Sequence, residues 1–151
     1  MTPASKPFRA LVDEWLAAYD DLYAVLDALT PDQREQPDVW GGWNPRQMVA
    51  HLAGWHYEAI RRFSAITAGD PFDPNYNIDQ FNTVQVEARA HLDWVLTLDD
   101  LREVIDILRE QAYDVPEYKA EREPRYAGWL TDLMHHAREH RARIQAACPP
   151  N

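Results

Sequence analysis

The chain has 151 residues and a formal net charge of −10 at pH 7. That length suits one domain with a real core, and 46% hydrophobic residues exclude wholesale disorder. The acidic balance argues against nucleic acid, whose phosphates need clustered Lys and Arg, and against anionic membrane surfaces.

A small molecule or another protein subunit is the expected partner. No apolar run approaches the roughly 18 residues of a membrane span. The N-terminal MTPASKPFRALVDEW is charged and amphipathic rather than a secretory signal, which predicts a cytoplasmic protein. The single cysteine, Cys148, rules out an internal disulfide and reads as a bystander near a frayed terminus.

The first predicted helix runs from about Lys6 to Leu29, with Ser5 as N-cap. Phe8, Leu11, Val12, Trp15, Leu16, Tyr19, Leu22, Tyr23, Leu26 and Leu29 recur at three- and four-residue steps. So broad a stripe suits a helix packed on two neighbours and leaves apolar surface for a homodimer. Thr30-Pro31 predicts a short helical turn, ended by Pro37. In DVWGGWN, Gly41-Gly42 marks a turn, and Trp40 and Trp43 are expected to plug the bundle end.

Asn44, Pro45 and Gln47 form a capping box that opens a second helix reaching about Thr67. Its apolar face is Met48, Val49, Leu52, Trp55, Ala59, Ile60, Phe63 and Ile66. By helical angle His56 falls inside that face and His51 on its flank. Residues 68–77 read as a loop. Asn77 and Gln80 make another capping box, predicting a helix from Ile78 to about His91. The apolar phase breaks between Leu92 and Leu96. Thr97 and Asp100 then cap a further segment ending near Tyr113, so the third helix is kinked or divided. A polar connection over 114–124 leads to a last helix from about Pro124 to Ala147.

That last helix contains WLTDLMHHAREHRARI. Leu130, Leu133, Ala137 and Ile144 share one stripe, with His140 inside it, His136 on its flank and His135 on the opposite face. The i,i+4 spacing of His136 and His140 lets two imidazoles reach one cation from a rigid helix. The bland alternative is a pair of hydrogen-bonded interior histidines. Four long helices and no alternating strand predict one all-α, up-and-down-like four-helix bundle over 1–151. Histidines of helices two and four can converge there.

Phosphate-binding loops, G-x-S-x-G, C-x-x-C and H-E-x-x-H are absent. The acidic pairs read as solvated faces, and Glu139 as an outward structural residue. Glu58, on the flank of His51, is the candidate general base to a metal-bound water, the bland alternative being a surface glutamate. The tryptophans are expected to be mostly core, with one or two at a pocket mouth.

WNPRQMVAHLAGWHYE, residues 43–58, followed by His136, Glu139, His140 and Ile144, resembles the DinB-like (DinB/YfiT-like) superfamily of four-helix-bundle metalloenzymes. Gly41, Trp43, Ala50, His51, Leu52, Trp55 and His56 are most similar to its ClbS/DfsB branch. The resemblance implies a divalent metal, zinc or nickel, held by His51, His136 and His140, often in a homodimer. It places the helix-two ligand at His51, by position from Trp43, where periodicity favours His56. It further implies a hydrolase or thiol-dependent transferase acting on a small molecule. The ClbS branch implies an alternative: a metal-free hydrolase or sequestration protein conferring resistance to a reactive compound. A third reading is a bundle whose role is oligomer formation, with histidines only in the core.

Overall fold

The computed structural model describes residues 6–150. The Ser5 cap lies outside them. Within them the chain is all-α, and the Trp40–Trp43 bridge stands outside any strand.

Helix α1 spans Phe8–Asp27 and starts after Pro7 without a side-chain cap. Most of its stripe is buried: Val12, Trp15, Leu22 and Leu26 have no exposure, while Leu11, Leu16 and Tyr23 are half-buried. α2, Pro31–Arg34, opens on a complete Thr30/Gln33 capping box. α3, Pro45–Thr67, opens on a complete Asn44/Gln47 box, so two otherwise orphaned backbone donors are satisfied.

The divided third helix is two helices: α4, Ile78–Ala88, and α5, Trp94–Asp114. Only half of the Asn77/Gln80 box forms, the Asn77 side chain accepting from the Gln80 amide. The cap of α5 is Asp93, which accepts from the Leu96 amide at 2.8 Å, rather than Thr97 or Asp100. Thr97 is buried within the helix and donates to the Asp93 carbonyl, while Asp100 pairs with Arg89 at 2.7 Å across the break. Asp93 wins because it stands immediately before Trp94, whose ring is buried. α6, Glu117–Arg122, and α7, Pro124–Ala147, complete the chain.

α3 packs along α5 and α1 along α7, with α3 also against α7 and α1 touching α5. The ring order is therefore α1–α7–α3–α5. Helices α1 and α3 sit on one diagonal, α5 and α7 on the other. This corrects the up-and-down expectation, in which chain neighbours are also spatial neighbours. The physical reason lies in the links: residues 28–44 and 115–123, which contain α2 and α6, are long enough to cross a bundle end.

The end of α7 is pinned rather than frayed. Cys148 is buried with Sγ 3.5 Å from Gln36 Oε1, and Gln36 Nε2 donates to the Ala147 carbonyl at 3.0 Å. Burial pushes the Cys148 thiol up, away from the reactive thiolate. No helix of the described residues is long and apolar enough to cross a membrane.

Candidate functional site

The α3–α7 contact brings His51, His136 and His140 to one place. His51 Nε2 lies 2.8 Å from His140 Nε2. The His136 ring is 6.0 Å from His51 and 6.2 Å from His140, centroid to centroid. His51 and His140 are buried, at 4% and 1% exposure. As they stand, no three His, Cys, Asp or Glu side chains among the described residues converge tightly enough to hold a metal. His136 is the one that stands off, and no hydrogen bond holds its buried Nδ1.

Hydrogen bonding sets the tautomers. Asn82, on α4, receives the Trp55 indole N–H at 2.7 Å, so that amide atom is an oxygen. His51 Nδ1 lies 3.1 Å from the same oxygen and must donate to it. The His51 Nε2 therefore carries the lone pair. His140 Nε2 is then the donor across the 2.8 Å contact, and His140 Nδ1 is a buried lone pair without a partner. Burial above all holds His51 down to about 4 and His140 down to about 2, so both are neutral at pH 7. Burial also lowers His136.

His56 is fully buried, as periodicity predicts, but both its nitrogens are taken. Nδ1 donates to the Leu52 carbonyl at 2.8 Å, and Nε2 accepts from Trp15 Nε1 at 3.2 Å. It is a satisfied core histidine. His91 and His135 are exposed.

Trp40 and Trp43 wall the histidine pair. Trp40 meets His140 edge-on at 4.5 Å, and Trp43 packs on His51 at 5.1 Å. Their amides and carbonyls pair across a two-residue turn in which Gly41 and Gly42 both have positive φ, 51° and 89°. That is a turn only residues without a Cβ adopt freely.

A cavity of about 640 Å³ opens in front of His51 and His136. Trp55, Tyr76 and Trp129 line it, and the loop before α4 forms its lip with Asp73 and Pro74. Glu58 does not line it. It lies two turns along α3 from His51, 9% exposed, paired with Arg61 at 3.3 Å. Its carboxylate is next to Tyr76, whose hydroxyl is pushed up chiefly by burial and then by that charge. Sequence reasoning missed Asn82, Tyr76 and the role of Trp40. Each touches the site across a long chain separation, which helical periodicity cannot register.

An all-α bundle that gathers imidazoles from two helices at the floor of an open cleft defines a class of small-molecule-sized site in a helical scaffold. Residues 14–145 match the DinB superfamily, and the chain belongs to it. An uncharacterised protein from Escherichia coli UTI89 has a similar structure, with a TM-score of 0.78 and 14% identity over 95% of this chain and 93% of that one. At that identity the likeness is one of fold. Comparison with curated proteins finds no match.

Proposed function

We propose that this chain is an enzyme of the DinB superfamily acting on a small molecule, as a hydrolase or thiol-dependent transferase, with zinc or nickel held by His51, His136 and His140. The observation that carries the reading is the Asn82 bond. It commits His51 Nδ1–H and leaves the Nε2 lone pair turned into the cluster, as a second-sphere acceptor does for a metal-ligating histidine. Three neutral imidazoles are a suitable donor set, and the free Nδ1 of His136 leaves that ring unpinned. A bound divalent cation would supply Lewis acidity. The chain's own part is to hold the histidines, exclude water with Trp40 and Trp43, and present substrate against the Trp55–Trp129 wall. Glu58, paired with Arg61 and off the cavity lining, makes no contact with substrate in this reading, and its charge bears on the cleft only through Tyr76.

Within the superfamily we place the chain nearest the ClbS/DfsB branch, on Gly41, Trp43, Ala50, His51, Leu52, Trp55 and His56. The metal-free hydrolase or sequestration reading of that branch is favoured by one observation. His51 and His140 already satisfy each other by a direct hydrogen bond. A homodimer in the cytoplasm belongs to the proposal. Because most of the α1 stripe is buried, pairing would draw on other apolar side chains, such as the exposed Val84 on α4 or Val95 and Leu96 on α5.

The test is elemental analysis of protein purified without added metal, followed by zinc and nickel titration at neutral pH. One equivalent per chain, lost in His140→Ala, supports the metal reading. No uptake by the wild type overturns it in favour of the metal-free one.

A further inference from the structure

The charge and the walls of the cleft are independent of what the histidines hold. Trp55, Tyr76 and Trp129 form one aromatic wall, with centroids 5.2 Å apart for Trp55–Tyr76, 6.1 Å for Tyr76–Trp129 and 6.3 Å for Trp55–Trp129. Trp129 is half-buried, so part of its ring is open to the cavity. Around this wall stand the carboxylates of Asp73, Asp132 and Glu139. None of the three is among the ion pairs formed by the described residues. Arg125 is the cationic side chain on the lining. Its guanidinium is already engaged: it pairs with Glu123 and donates to the Phe72 and Asp70 carbonyls, both at 3.1 Å. The cleft therefore offers aromatic surface, its rings tilted or edge-on to one another, beside carboxylates that have no ion-pair partner among the described residues. Such a surface attracts a cation by Coulomb interaction and through the ring faces, and repels a carboxylate.

We propose that the cleft takes a ligand with a flat apolar body and a cationic group, of the arylalkylammonium class. The ring packs against the half-buried Trp129, and the ammonium lies in the field of the Asp132 and Glu139 carboxylates. This rests on the reading of the cleft as the substrate site, and not on the presence of metal. It narrows the substrate from any small molecule to amines or positively charged heterocycles. It also assigns a role to α7 carboxylates that the histidine cluster leaves unused.

Three probes with a common naphthalene body test it: 2-naphthylmethylammonium, 2-naphthylmethanol and 2-naphthoate. Each is titrated into chelator-treated protein while the indole N–H signals of Trp55 and Trp129 are followed by NMR. The ammonium compound is expected to shift the Trp129 signal and to bind at least about tenfold more tightly than the naphthoate at low salt, the preference shrinking as salt screens the carboxylates. The Asp132→Asn, Glu139→Gln double variant is expected to bring the two within about threefold while binding the neutral alcohol as the wild type does. Naphthoate binding as tightly as the amine, a preference that survives the double variant, or no Trp129 shift with any probe overturns the proposal. Metal uptake, measured separately, distinguishes the two readings. A protein that takes up no metal but prefers the amine retains this inference. One that takes up metal but prefers the naphthoate when stripped loses it.

Discussion

The Nε2 atoms of His51 and His140 face each other across 2.8 Å, one from α3 and one from α7. Two imidazole nitrogens sharing one tetrahedral cation at about 2.0–2.1 Å each would stand roughly 3.3 Å apart, so small outward shifts, together with transfer of the His140 proton from Nε2 to its free Nδ1, separate the paired arrangement from a metal-holding one. The bundle is built around a large apolar core, so it is expected to fold without metal. His140→Ala should then abolish stoichiometric zinc or nickel uptake while far-ultraviolet circular dichroism stays close to wild type. His135→Ala, at an exposed position, should bind metal as before. Equal uptake by the two variants would remove His140 from the site.

Asn82 orders both Trp55 and His51 through one oxygen. Asn82→Ala leaves the Trp55 indole N–H without its acceptor, at a cost of about 1–3 kcal/mol, and frees the His51 ring to change tautomer. Where metal is bound, affinity should fall about 10–100-fold. Long-range nitrogen–proton NMR should show His51 protonated at Nδ1 in the wild type and a mixture in the variant. A wild-type His51 protonated at Nε2 would contradict the tautomer assigned from Asn82.

Helix positions were legible because capping and periodicity are local. Asn44 and Gln47 close α3 with their own side chains, and the α1 stripe faces inward wherever its partners lie. The ring order was not legible, because it depends on links whose paths are set by packing at the bundle ends. The same limit governs the site. Periodicity correctly sent His56 inward, but an inward histidine serves the core when Trp15 and the Leu52 carbonyl satisfy it. His51 sits on the flank, which here is the α3–α7–α4 junction where the cleft opens. Trp40 and Trp43 read as a plug because their spacing says only that they flank a tight turn. What they cover is decided by α7.

Gly54 is a point of close approach between α3 and α4. A Cβ there would lie 2.4 Å from Gln85 Cγ and 2.6 Å from Gln85 Cβ. The Gln85 Cβ is fixed to the backbone, so Gly54→Ala must push α4 outward. Relief of the glycine penalty inside a helix gains about 1 kcal/mol, and overpacking costs about 1–3 kcal/mol, so the net effect is destabilising. Because α4 carries Asn82, the variant should also loosen His51. Urea unfolding should show a lowered midpoint, and hydrogen exchange a loss of protection over residues 78–88. A more stable variant would mean that α4 is not held at this contact.

Acid should destabilise the fold through its buried histidines. Burial holds His56 down to about 3, against the partial opposition of its bond to the Leu52 carbonyl, and His51 and His140 are held low in the same direction. In the unfolded chain each would titrate near about 6.5. Between those values the unfolded state binds protons that the native state refuses, so stability rises with pH across this window and levels off above about 6.5. The slope approaches about 1.4 kcal/mol per pH unit for each such histidine. Protonation of His56 Nε2 would also replace the acceptor that Trp15 Nε1 uses with a second donor, deep in the core. Urea midpoints measured on metal-free protein should therefore be clearly lower at pH 5 than at pH 7.5. A midpoint at pH 5 equal to or above that at pH 7.5 would show that these imidazoles are not held neutral by the fold.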